Sequence, residues 1–153
     1  MSTTQAPGPR LTNVGTTPVT PRKLFVNIAV NDLQRSIDFF EALGFTFNQQ
    51  FTDATATAML VGEDAYFMLL QRDRFQSFTT HAINDPRKAT GAFFALSVDS
   101  PEAVDAMVKK AVSLGGAHAM EPQDHGFMFG WSFYDLDGHH WEVFWMDPSF
   151  VQG

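Results

Sequence analysis

Residues 135–145, DLDGHHWEVFW, put a turn-forming Asp-Gly, two adjacent imidazoles and a lone glutamate into one aromatic stretch. Side chains along a strand alternate between faces, so His140, Glu142 and Phe144 share one face while His139, Trp141, Val143 and Trp145 take the other. Glu142 is the candidate catalytic residue. On that face its carboxylate suits a general base or a hydrogen-bonding anchor for a polar or cationic ligand, and equally a carboxylate paired off with His140, Asn27 or an arginine. The i, i+2 spacing of His140 and Glu142 is also that of metal ligands. With His125, from the neighbouring EPQDHGF, they would make a set that suits zinc, iron or nickel, provided the fold brings the three together. His139 reads as a surface or turn residue, and so do His81 and His118.

Two similar segments must position these side chains. FVNIAVNDLQRSIDFFEALGF (25–45) and FFALSVDSPEAVDAMVKKAVSLGG (93–116) each read as an apolar strand, an acidic turn, a helix and a Leu-Gly stop. In the first helix Leu33, Ile37, Phe40 and Leu43 recur at helical spacing after the N-cap Asp32, with Gly44 as its stop. In the second, Ser100 caps, Pro101 fits the first turn, and Val104, Val108, Ala111 and Val112 form the buried stripe. Extended segments follow each helix, at 47–52, 56–61 and 66–71 and again at 118–121, 127–134 and 140–146. The unit is therefore βαβββ, used twice: module one at 23–71, a polar turn-rich linker at 72–90, and module two at 91–148, together one domain at 22–148.

Strand parity then divides the faces. Val26, Ile28 and Val30 can cover the first helix, leaving Phe25, Asn27 and Ala29 looking away; Phe94, Leu96 and Val98 cover the second, leaving Phe93, Ala95 and Ser97. Small and polar residues mixed with single phenylalanines suit a concave ligand surface, and equally an ordinary solvated sheet face. In GFMFGWSFYD the rings of Phe129 and Trp131 alternate with Gly130 and Ser132. They are assigned to the ligand surface for stacking, with core filling or a dimer contact as the other reading.

The bulk properties remove several classes of function. Acids outnumber bases 17 to 10 for a net charge of −7, and no basic stripe is present, which speaks against nucleic acid. Cysteine is absent, so no thiolate nucleophile, disulfide or iron–sulfur cluster is available. No phosphate-cradling glycine loop, dinucleotide fingerprint or Ser-His-Asp nucleophile site is found. Residues 1–21, rich in Pro, Ser and Thr, read as a disordered tail without a signal peptide or membrane span, and 149–153 as a short C-terminal tail. A cytoplasmic location is expected.

Paired βαβββ modules, the run from Asp32 to Phe45 (DLQRSIDFFEALGF) and DLDGHHWE together resemble the vicinal-oxygen-chelate superfamily of glyoxalase I, extradiol dioxygenases and the bleomycin- and fosfomycin-resistance proteins. The resemblance spans residues 23–148. It implies an α+β fold of two tandem modules whose curled, mostly antiparallel sheets surround a central cleft, and it implies a homodimer. In the metal-dependent relatives the first and last strand of each module supply a ligand. Those positions fall here on Phe25, Met68, Phe93 and Glu142, one carboxylate among three apolar side chains, so no metal cofactor is expected. The resemblance then implies a small-molecule ligand, apolar or aromatic, held by Phe25, Asn27, Met68, Phe93, Ala95, Phe129, Trp131, His140, Glu142 and Phe144. The alternative is a lyase, isomerase or dioxygenase that uses a divalent ion on His125, His140 and Glu142, or Glu142 alone as base.

Overall fold

Residues 6–150 are described by a computed structural model. Residues 6–23 carry no helix or strand and are exposed, while the remainder of the two expected tails, 1–5 and 151–153, lies outside the described residues. Module one runs β1 (Leu24–Val30), α1 (Leu33–Ala42), β2 (Thr46–Asn48), β3 (Ala56–Gly62) and β4 (Ala65–Gln71). After a short helix, α2 (Arg72–Gln76), module two runs β5 (Phe93–Ser97), α3 (Pro101–Ser113), β6 (Ala117–His118), β7 (Gln123–Asp124), β8 (Met128–Tyr134) and β9 (His140–Met146). Each module makes its own sheet, ordered β1-β4-β3-β2 and β5-β9-β8-β6, with β7 also on β8. The first and last long strands of each module pair in parallel and the remaining pairs are antiparallel. Among the described residues no helix is long and apolar enough to cross a membrane.

Local chemistry explains the helix starts. Asp32 accepts from Arg35 N at 3.1 Å and Ser100 from Ala103 N at 3.1 Å, each satisfying a first-turn donor. A further α1 donor, Leu33 N, is met from the end of β4 by Gln71 Oε1 at 2.8 Å. Three segments differ from the sequence reading. The strand expected at 47–52 stops at Asn48, whose side chain accepts from Gln50 N at 2.9 Å and turns the chain into a 3-10 helix at Gln49–Phe51. The strand expected at 118–121 becomes β6 and β7, divided around Pro122, which has no N–H for a ladder. The linker is not all turn, because α2 occupies its first five residues.

Both helix-bearing sheet faces contribute to a single core. Trp141 of β9 is fully buried and touches the rings of Phe40 on α1 (5.2 Å between centroids), Phe67 on β4 (4.8 Å) and Phe94 on β5 (5.1 Å). Phe133 of β8 meets Phe39 at 6.2 Å in the same core.

The loop between β8 and β9 fastens the modules together with polar contacts. Asp135 accepts three hydrogen bonds, from Asp137 N (2.9 Å), His139 N (3.0 Å) and Trp141 Nε1 (2.9 Å). Asp137 reaches across to the start of α1, accepting from Asn31 N at 2.8 Å and Ser36 Oγ at 3.4 Å. His139 corrects the sequence reading: it is half-buried, and its Nε2 donates to the Ala29 carbonyl of β1 at 2.7 Å. Gly138 completes the loop at φ +95°, where the Cα of Arg87 and its backbone N press from the linker; an added Cβ would stand 2.5 Å from Arg87 Cγ and 3.1 Å from Arg87 N. Gly138→Ala should therefore destabilise by about 2 kcal/mol through backbone strain and displacement of the linker. A urea titration reads this as a lower midpoint. Gly44→Ala, at φ +101° but facing open space, should lose less.

Candidate functional site

Strand register assigns each candidate to a face, because directly paired residues in a sheet share one. In module one Phe25 stands beside Tyr66 and Asn27 beside Met68, on the face away from α1. Phe25 is 46% exposed and stacks on Tyr66 at 4.7 Å. In module two Phe93 pairs with His140, Ala95 with Glu142 and Ser97 with Phe144, while β8 adds Ser132 beside Glu142 and Tyr134 beside His140. Phe93 is 56% exposed and its ring lies 5.2 Å from the imidazole of His140. The structure thus brings Phe93, Ala95, His140, Glu142 and Phe144 onto one open face, and Phe25, Asn27 and Met68 onto another. Among the described residues no aromatic contact joins the two open faces.

Phe129 and Trp131 belong to neither. Trp131 pairs with Val143 and Phe129 with Trp145, which puts both on the helix-bearing side, packed against the core. The sequence established the alternation but not which parity faces inward. The deciding signal is that Phe129, Trp131 and Phe133 form the bulky parity, which supplies core volume, and Gly130 and Ser132 the small one. Ser132 and Tyr134 follow from that choice, as neighbours of Glu142 and His140 that the sequence reading passed over.

Glu142 is half-buried, and among the described residues its carboxylate accepts no hydrogen bond and makes no ion pair; the ion pair present is Lys23 to Asp64 at 3.9 Å. It is not paired off with His140, Asn27 or an arginine. His140 has its Nε2 buried without a hydrogen-bond partner, the sole buried side-chain nitrogen or oxygen in that condition among the described residues. Its ring lies between Phe93 and Tyr134, 5.6 Å from the latter.

The metal question reduces to donors and reach. Of the four ligand positions implied by the resemblance, Phe25, Met68 and Phe93 carry no hard donor and only Glu142 does. The residues present do not fit the four-ligand site. The alternative set fails for distance: His125 lies in the exposed turn before Met128, and Glu142 pairs with Ser132, four residues or roughly 13 Å farther along β8. Among the described residues no three His, Cys, Asp or Glu side chains gather as a metal-holding group.

A cavity of about 240 Å³ lies at the seam where β1 and β5, the edge strands of the two sheets, approach each other. Asn27 and Ala29 line it from module one and Phe94, His139 and His140 from module two, and the linker closes over it with Phe75, Ile83, Asn84 and Pro86. In the sequence the linker reads as a connector, and nothing local in it marks a wall.

Comparison with known proteins fits this architecture. Among solved structures, the hypothetical protein SA1046 from S. aureus is 29% identical with a TM-score of 0.70, the match covering 82% of this chain and 94% of that one. A glyoxalase-related enzyme from Fulvimarina pelagi gives a TM-score of 0.71 at 18% identity, over 88% of this chain and 94% of its own. The fosfomycin resistance protein FosX from Mesorhizobium loti gives 0.59 at 16% identity, over 83% and 92%. At such identities the latter two matches speak to fold alone. No curated protein matches the sequence significantly. The sequence profile that does match, over residues 24–143, covers both modules from β1 into β9, and by it the chain belongs to the Glyoxalase/Bleomycin resistance protein/Dioxygenase superfamily.

Proposed function

We propose that this chain binds a small, largely apolar or aromatic molecule against its open sheet faces, with Glu142 as the polar anchor and a second copy of the chain completing the cleft. One observation carries the reading. Among the described residues Glu142 is the only carboxylate on a face it shares with Phe93, Ala95, Ser132, Tyr134, His140 and Phe144, and it accepts no hydrogen bond and makes no ion pair there. Its oxygens are not buried and no protein donor occupies them among the described residues, which leaves the carboxylate available to a ligand's donor. Phe25 and Phe93, each about half exposed, support closure of the faces by another molecule, because single rings of that exposure on adjoining strands offer apolar area to a homodimer.

Proton transfer by Glu142 is the second reading, favoured by the same unpaired carboxylate, which is free to take a proton from a bound carbon acid. Neither reading routes a step through a metal, since the donors do not fit one. The test is a thermal-shift screen of small aromatic compounds on the full chain, followed by titration of any ligand found into Glu142→Gln. The variant keeps volume and loses charge, so affinity should fall about tenfold, the loss of one charge-assisted hydrogen bond, with the melting temperature of the free protein unchanged. Equal affinity for wild type and variant would remove Glu142 from the site. Light scattering at micromolar concentration should give twice the chain mass, and stoichiometric zinc, iron, nickel or manganese in purified protein would overturn the metal-free reading.

A further inference from the structure

We propose that the seam cavity is a separate binding site for a small organic monocarboxylate with a short planar or branched apolar body. Its wall carries Arg72, His139 and His140 and no Asp or Glu, in a chain whose net charge is −7. A guanidinium without an acid on the same wall, in so acidic a protein, favours an anion.

Two of these side chains have unused donor or acceptor capacity. Arg72 is half-buried and pairs with no carboxylate among the described residues, and its side-chain hydrogen bond is a long one, Nη2 to the Asn84 carbonyl at 3.4 Å. A guanidinium presents a planar fork that matches both oxygens of a carboxylate. His140 lines the same wall, with its ring between Phe93 and Tyr134 and its Nε2 buried without a partner among the described residues. His139 is not available, since its Nε2 is held by Ala29.

Size and lining define the rest of the ligand. A volume of about 240 Å³ equals the share of roughly eight water molecules and falls below the range of drug-sized pockets. Phe75, Ile83 and Phe94 offer apolar walls for the ligand body. A nucleotide would crowd this space, and a phosphate dianion would ask for more donors than one guanidinium and one imidazole. The site shares Asn27 and His140 with the open faces but does not use Glu142, so it stands or falls apart from the reading above.

Benzoate and its neutral isostere benzamide are the probes, each titrated into the isotope-labelled full chain and followed by NMR. Benzoate should move the ring resonances of His140 and the amide resonances of residues 89–92, and benzamide should bind at least tenfold more weakly. Arg72→Gln should weaken benzoate about tenfold, the scale of losing a bidentate charged contact, Arg72→Lys should weaken it less, and Glu142→Gln should leave it unchanged. Equal binding of the two probes, loss of benzoate in Glu142→Gln, or no benzoate-dependent shift at 89–92 would each overturn the proposal. If Arg72→Gln fails to fold, the wild-type contrast between benzoate and benzamide decides alone.

Discussion

Trp141→Ala should cost the fold about 4 kcal/mol, a large share of the 5–15 kcal/mol that holds a domain of this kind together. The indole is fully buried and, among the described residues, is the one side chain that touches rings from α1, β4 and β5, so its removal opens a cavity at the joint of both modules. It also removes the Nε1 donor from Asp135. Urea unfolding should show the midpoint falling by a third or more, or the protein should collect in the insoluble fraction. Trp141→Phe keeps most of the volume and loses the hydrogen bond, so its cost should be about 1–2 kcal/mol. If Trp141→Ala behaved like Trp141→Phe, packing at this joint would contribute little and the modules would be held by the loop alone.

Asp135→Ala should destabilise by about 4 kcal/mol, because three N–H groups, on Asp137, His139 and the indole of Trp141, lose their acceptor in a buried site. The pH dependence has a definite sign. Burial first, and the charge of Asp137 to a lesser degree, push the Asp135 carboxyl above its ordinary range, against the opposing pull of His139 and of the hydrogen bonds from the Trp141 indole and the Asp137 backbone. The folded protein therefore holds this proton to higher pH than the unfolded chain does. That stabilising contribution is fully present below the unfolded value of about 3.9 and is lost as pH rises through the raised folded value. The advantage of wild type over Asp135→Ala should consequently be largest in acid and shrink toward neutrality, as measured by urea midpoints at a series of pH values. A gap that widened with pH would mean that the donors outweigh burial and the carboxyl is depressed.

The elements were readable because their signals are local. Asp32 and Ser100 cap within three residues of themselves, and the alternation of β1, β5 and β9 shows in the sequence as it does in the sheets. Parity gave Phe25 with Asn27, and His140 with Glu142 and Phe144, because period two needs no partner strand. What escaped depends on partners far along the chain. His139 looks like a turn residue until Ala29, 110 residues away, supplies its acceptor, and Asp137 is an anonymous turn acid until Asn31 arrives from 106 residues upstream. Phe129 and Trp131 were misplaced for a different reason: alternation separates two sets of side chains, and only the competition for core volume tells which set is inside. Arg72 and the seam cavity had no signature at all, since a cavity formed by a linker folding over two edge strands is a property of tertiary packing.

The pairing of first strand with last has a consequence for how the chain is made. Module one can complete its sheet once Gln71 has left the ribosome, because β1 needs only β4 as a neighbour. Its helix-bearing face, with Phe40 and Phe67, is then uncovered, and its covering rings Phe94 and Trp141 lie in residues still to be synthesised. At ordinary elongation rates the 70 residues from Gln71 to Trp141 take roughly 4–14 s, far longer than apolar collapse needs. During that interval the nascent first half presents the core's apolar surface to solvent or to a chaperone. The last strand to be translated is the one that covers it.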